Sequence, residues 1–205
     1  MSLNNKTVKK GGLTMKELIR DALLSGIELR QKCVGTLDEN LLAAAQVMVN
    51  SLQAGGKILV CGNGGSAADA QHFAGELVNR FEMNRPGLAA VAMTHDASVI
   101  TSSATDFSFD AIYERQTEAL GRAGDVLLAI STSGDSPNVL RAVDKAAAIG
   151  MQVVALTGRD GGKLASNSGV TVHLNINHPS TPRVQEMHIT CLHILCTLID
   201  ESMFG

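Results

Sequence analysis

The sequence predicts a three-layer α-β-α sandwich: a mainly parallel, five-stranded sheet with helices on both faces, preceded by an N-terminal helical arm. Three observations predict it. Four short, continuously apolar runs recur along the chain, three of them ending in a glycine- or hydroxyl-rich loop. Segments of helical period separate these runs, and two more amphipathic segments precede the first. Strands apolar at every residue are buried on both faces, which is the pattern of a parallel sheet between helical layers.

Taken in order, Thr14 is placed to cap a first helix whose apolar stripe is Leu18, Ile19, Leu23, Leu24 and Ile27. A second helix is expected from about Asp38 to Leu52, stopping before Ala54-Gly55-Gly56. These two form the arm, residues 13–54. The strands follow at Lys57–Cys61, Leu88–Met93, Val126–Ile130 and Val153–Leu156, with an alternating edge strand at Val170–Leu174. A last helix starts near Pro182. Residues 1–12, with Gly11-Gly12, read as a tail or an expression remnant. The rest, 13–205, reads as one domain, because nothing resembling a linker or an internal repeat interrupts it.

Composition narrows the function. Of 205 residues, 45% are hydrophobic and only 3% aromatic, so Leu, Val, Ile, Ala and Met must fill the core. The formal net charge of −3 comes with no long basic run, which argues against nucleic-acid binding. No apolar stretch approaches the ~18 residues of a membrane span, and no signal-peptide core is visible, so a cytoplasmic protein is expected. Cys33, Cys61, Cys191 and Cys196 form no C-x-x-C pair and read as reduced, buried thiols.

In open parallel sheets, ligands bind beyond the carboxyl ends of the strands. The first such loop is Gly62-Asn63-Gly64-Gly65-Ser66-Ala67. It matches the dinucleotide fingerprint formally, but that fingerprint needs an acid at the end of the next strand, and Asp96 comes too late. The better reading is an anion-binding turn, with Ser66 as the N-cap of the next helix. The third strand runs into Ser131-Thr132-Ser133-Gly134-Asp135-Ser136-Pro137. Ser136 suits an N-cap, Pro137 the first helical position and Gly150 the helix stop. So many hydroxyls at a helix N-terminus exceed what capping needs and suit a phosphate monoester. After the fourth strand, Arg159 and Lys163 read as solvated charges, with a place for one of them near an anion as the alternative.

Two places can carry chemistry. His72 and Glu76 stand four apart on a helix and so share a face, which suits two ligands of one divalent metal or an acid and a base beside one substrate. The last helix carries Gln185, His188 and His193. His188 and His193 are about 140° apart around the helix and cannot share a task, and His188 reads as structural. Gln185 and His193 share a side but lie roughly 12 Å apart along the axis. They meet one centre only by reaching in from two sides, if the helix starts after Gln185, or through different subunits.

Five motifs in order resemble the sugar-isomerase (SIS) domain of the phosphoheptose isomerases: Cys61 to Ser66 with Asp69 to Phe73, Asp125 to Gly134, Leu156-Thr157-Gly158, Asp160-Gly161-Gly162, and Arg183 to His188. The similarity runs from about Met15 to the C-terminus. It implies a flavodoxin-like sheet, zinc held by His72, Glu76, Gln185 and His193, Glu76 as general base and His193 as general acid. It implies that Asn63, Gly64, Gly65, Ser66, Glu76, Thr105, Asp106, Ser131, Thr132, Ser133, Ser136 and Gln185 contact the sugar phosphate. Thr105 stands where the family often has Asn. The reaction implied is conversion of sedoheptulose 7-phosphate to D-glycero-D-manno-heptose 7-phosphate, a lipopolysaccharide-heptose precursor, by a homotetramer. Non-enzymatic SIS adaptors that associate with replication initiators are the alternative. They typically lack the acid/base pair that Glu76 and His193 supply here.

Overall fold

The computed structural model describes residues 12–205; the expected tail, 1–12, lies outside them except for Gly12. Five strands, β1 (Ile58–Gly62), β2 (Ala90–Ala92), β3 (Val126–Ser131), β4 (Gln152–Gly158) and β5 (Val172–Ile176), form one sheet in the order β2-β1-β3-β4-β5. Every neighbouring pair is parallel. The residues of β1 and β3 are all buried, as their continuous apolarity requires. β5 lies at the edge, as expected, but starts at Val172. Val170 N is taken by Asn167 O; Thr171 N reaches Val153 O, but the Thr171 hydroxyl takes Val153 N, so the strand begins only at Val172. β2 is shorter than the Leu88–Met93 run because Leu88 N donates to Leu77 O rather than to the sheet.

Alternate strand residues feed two cores. Ile58, Val60, Val126, Leu128, Ile130, Val154 and Leu156 pack with α2 (Asp38–Gln53), α3 (Gly65–Val78) and α7 (Thr181–Phe204). Leu59, Cys61, Leu127, Ala129 and Val153 face the other way, toward α4 (Ala97–Asp106), α5 (Ile112–Leu120) and α6 (Pro137–Ile149). This division decides which side chains can meet: α3 and α7 share one layer, and α4 lies in the other.

The helix α1 (Met15–Cys33) begins at Thr14 with a full capping box: Glu17 N donates to the Thr14 hydroxyl, and Thr14 N donates back to Glu17. Of its residues only Leu29 is buried, while Ile19, Leu23, Leu24 and Ile27 stand between 45% and 65% exposed. These four side chains form an apolar stripe only partly covered by the described residues, with Arg183 and Glu186 of α7 bordering Leu23 and Ile27. Among the described residues, no helix is long and apolar enough to cross a membrane.

Candidate active site

Strand order turns outward in both directions from β1 and β3, so the crevice between their carboxyl ends is the switch point at which such sheets bind ligands. Two loops line it. On the β1 side, Gly64 takes φ +57 and is itself the N-cap, so α3 begins at Gly65 and Ser66 lies inside its first turn, buried. The expectation of Ser66 as N-cap is corrected by that left-handed glycine, which starts the helix two residues earlier. Gly62 also has to be glycine, since a Cβ there would lie 2.8 Å from Ser66.

On the β3 side, Ser136 holds the N-cap position of α6, ahead of Pro137, but its hydroxyl makes no capping bond. It turns instead to Ser131 Oγ at 3.0 Å, and Ser133 Oγ lies 3.5 Å from the same atom. Gly134 N and Asp135 N donate to Ser131 and Ser133, fixing the two hydroxyls. Three hydroxyls thus converge at a helix N-terminus, a cradle for an anion rather than a cap. Gly134, at φ +71, lets the loop pass against the next turn; a Cβ there would meet Gly161 O. A reciprocal amide pair, Asn63 with Asn138 at 2.8 and 2.9 Å, ties the two loops together. A cavity of about 570 Å³ opens beside the cradle, lined by Ser133, Asp135, Arg159, Asp160, Asn177 and Pro179. Arg159 and Lys163 are both exposed, and Arg159 lines that cavity beside the cradle.

The second centre lies in the seam between α3 and α7. His72 Nε2 sits 3.1 Å from Glu76 Oε1 and 3.1 Å from His193 Nε2. Phe81 packs its ring against His193, centroids 5.5 Å apart. The side chains of His72 and Glu76 remain 44% and 27% exposed, open to a ligand. One turn earlier, burial pushes the Asp69 carboxyl up to about 6, against an opposing pull from His72, and its Oδ2 is buried without a partner. Asp69 was not singled out from the sequence, although the spacing Asp69, His72, Glu76 is one helical face and could have shown it.

The remaining expected residues are dispersed within the chain. The helix α7 starts before Gln185, so a late helix start does not bring Gln185 to His193. Gln185 lies instead against Gly65, where a Cβ would come 2.3 Å from its Nε2. Running side by side, α3 and α7 present Gln185 at the glycine turn and His193 at His72. Thr105 bonds its own helix at Thr101 O, and Asp106 ends α4 on the opposite layer from Glu76 and His193. His188 is fully buried and shares its Nε2 proton with Thr157 O at 2.9 Å, a structural role. Of the thiols, Cys61, Cys191 and Cys196 are buried and Cys33 partly so; burial drives the first three up to about 12.

As the side chains stand, no three His, Cys, Asp or Glu groups among the described residues enclose a point that could hold a metal ion. The donor set nevertheless fits zinc. Two imidazole nitrogens and a carboxylate oxygen are its usual ligands, and ligands sharing one tetrahedral zinc sit ~3.3 Å apart. His72 Nε2 has a single hydrogen-bonding position yet faces two neighbours at 3.1 Å, a crowding that a shared cation relieves. Gln185 stands outside this group.

The SIS-domain family model matches residues 25–158. The chain is 47% identical over 192 residues to the phosphoheptose isomerase of Methylibium petroleiphilum, covering 93% of this chain and 96% of that one. It superposes on the structure of phosphoheptose isomerase GmhA from Neisseria gonorrhoeae with a TM-score of 0.86 at 47% identity, over 92% of this chain and all of the other. A phosphoheptose isomerase from Francisella tularensis gives 0.88 at 40% identity, with the same coverage. Motifs, sheet order and relatives agree: the chain belongs to the phosphoheptose isomerase family of SIS-domain sugar-phosphate isomerases.

Proposed function

We propose that this protein converts sedoheptulose 7-phosphate to D-glycero-D-manno-heptose 7-phosphate, with Glu76 and His193 as its proton-transfer pair. The observation that carries the reading is their convergence on His72 in an exposed seam, in a fold that also holds a hydroxyl cradle at its switch point. Ketose–aldose interconversion moves a proton between adjacent carbons through an enediol. Glu76 removes the proton from C1 of the ketose, exchanges it with water in the open seam, and delivers a proton to C2. His193 protonates the carbonyl oxygen as charge develops there and takes the hydroxyl proton from the neighbouring carbon. The hydroxyls of Ser131, Ser133 and Ser136, with the turn from Asn63 to Ser66, hold the phosphate. Glu76 lies eleven residues, ~16 Å, along α3 from that turn, so the cradle that serves this pair is contributed by another copy. His72, Glu76 and His193 are the residues of this chain that would hold zinc, with Gln185 joining from the glycine turn or from another copy. Zinc there supplies Lewis-acid polarisation of the substrate oxygens.

Assembly belongs to the same reading. Asp106 and Thr105 lie across the sheet from Glu76, so a site using all of these residues draws on more than one copy. The stripe Ile19, Leu23, Leu24 and Ile27 offers the contact, each half-exposed side chain worth roughly 1–2 kcal/mol once its remaining surface is covered. A homotetramer in the cytoplasm, working in lipopolysaccharide-heptose synthesis, follows from the family.

The test is incubation with sedoheptulose 7-phosphate while aldose formation is followed. Turnover that chelation abolishes and zinc restores supports the whole reading. A pure preparation with no turnover, bound tightly to a replication-initiator protein, supports the adaptor instead.

A further inference from the structure

At its far end, the seam between α3 and α7 is closed by a buried ion pair. Arg85 Nε donates to Asp200 Oδ1 at 2.8 Å, with the two side chains 1% and 5% exposed. The same guanidinium donates to Leu77 O at 2.7 Å and to Glu76 O at 2.9 Å. Those carbonyls belong to the last turn of α3, which has no helical partner for them. Asp200 lies two turns beyond His193 on α7. One planar cation therefore grips the backbone of Glu76 itself and the helix that carries His193. The buried Cys196 thiol is pushed up by burial and by the charges of Glu76 and Asp200, and is drawn down by Arg85, so all four groups share one locality.

As a source of stability this pair is poor. A buried ion pair recovers its desolvation cost only when every polar atom is satisfied, and Asp200 Oδ2 is buried without a partner. Apolar side chains of the same volume would fill the space as well. What they could not do is fix the slide and rotation of α3 against α7, on which the 3.1 Å approaches at His72 depend. We infer that Arg85 and Asp200 are positioning residues, holding Glu76 and His193 in register for proton transfer and for their shared cation. This inference rests on the catalytic reading of Glu76 and His193 given above.

The test uses the full chain with Arg85→Lys and with the double variant Arg85→Met/Asp200→Leu. Lysine keeps the charge but cannot span three acceptors in one plane. The double variant removes the ions and keeps the core filled, which guards against simple unfolding. Four quantities are read: thermal melting, inorganic-phosphate binding, Zn²⁺ affinity by calorimetry, and kcat and KM on sedoheptulose 7-phosphate. Both variants are expected to fold and to bind phosphate as the wild type does. Their kcat falls ~10–100-fold with a nearly unchanged KM, and Zn²⁺ binding weakens ~10-fold or more. A folded double variant with wild-type kcat and wild-type Zn²⁺ affinity overturns the inference. If the wild type itself shows no turnover, the isomerase reading falls, and Zn²⁺ affinity alone decides whether the clamp positions the site.

Discussion

His193 Nε2 lies 3.1 Å from His72 Nε2, although 121 residues separate them in the chain. The approach is made by two helices lying side by side in one layer of the sandwich, each starting at the switch-point end of the sheet. Glu76 joins them from the next turn of α3. A helical pair that was ambiguous in the sequence becomes a three-group centre only because α7 packs where it does.

Replacing Glu76 with Gln or His193 with Ala removes a proton-transfer group without opening the core, since both side chains are partly exposed. Turnover is expected to fall by ~10²-fold or more, with melting and inorganic-phosphate binding preserved. Steady-state kinetics beside a calorimetric phosphate titration checks this.

The cradle acts on binding. Ser131→Ala removes the hydroxyl that Gly134 N, Ser133 and Ser136 all face. KM for the sugar phosphate is expected to rise about tenfold, the value of one good hydrogen bond to a charged ligand. Since kcat reports on the other end of the substrate, it should move much less.

Two glycines separate folding from site geometry. Gly134→Ala forces a Cβ to within 1.8 Å of Gly161 O at a residue with φ +71, and should cost about 2 kcal/mol or more. At Gly65 the three atoms nearest the added Cβ all belong to the amide end of Gln185, the far end of a flexible side chain. Gly65→Ala should melt close to wild type while displacing Gln185 and lowering turnover. A pair of thermal melts with matched kinetics distinguishes them.

His188 sets an acid limit on stability. Burial lowers its imidazole from 6.5 to about 4, only partly offset by the bond to Thr157 O. The folded state holds the neutral ring, so protonation favours unfolding. The stabilisation is complete above pH 6.5 and drains away as pH falls toward 4, by on the order of 3 kcal/mol. In His188→Gln the fall in melting temperature between those pH values should be shallower than in the wild type.

Much of this was legible in the residues. Continuous apolarity in β1, β3 and β4 announced a doubly covered sheet, and the hydroxyls from Ser131 to Ser136 announced an anion site. Local rivalries blurred the edges. Leu88 spends its N–H on the end of α3, and Gly64 opens that helix where Ser66 had seemed the cap. Arg85 and Asp200 were invisible for a different reason. Each is a single charge in its own segment, 115 residues from the other, and only the packing of α7 on α3 gives either one meaning.

The central claim is that Glu76 transfers the proton between carbons. Reaction in heavy water, with the aldose analysed by mass spectrometry and NMR, tests it most directly. The account predicts one solvent deuteron at C2 of the product from wild type, and none above background with Glu76→Gln over the same time. Labelled aldose formed by Glu76→Gln at the wild-type rate would contradict it.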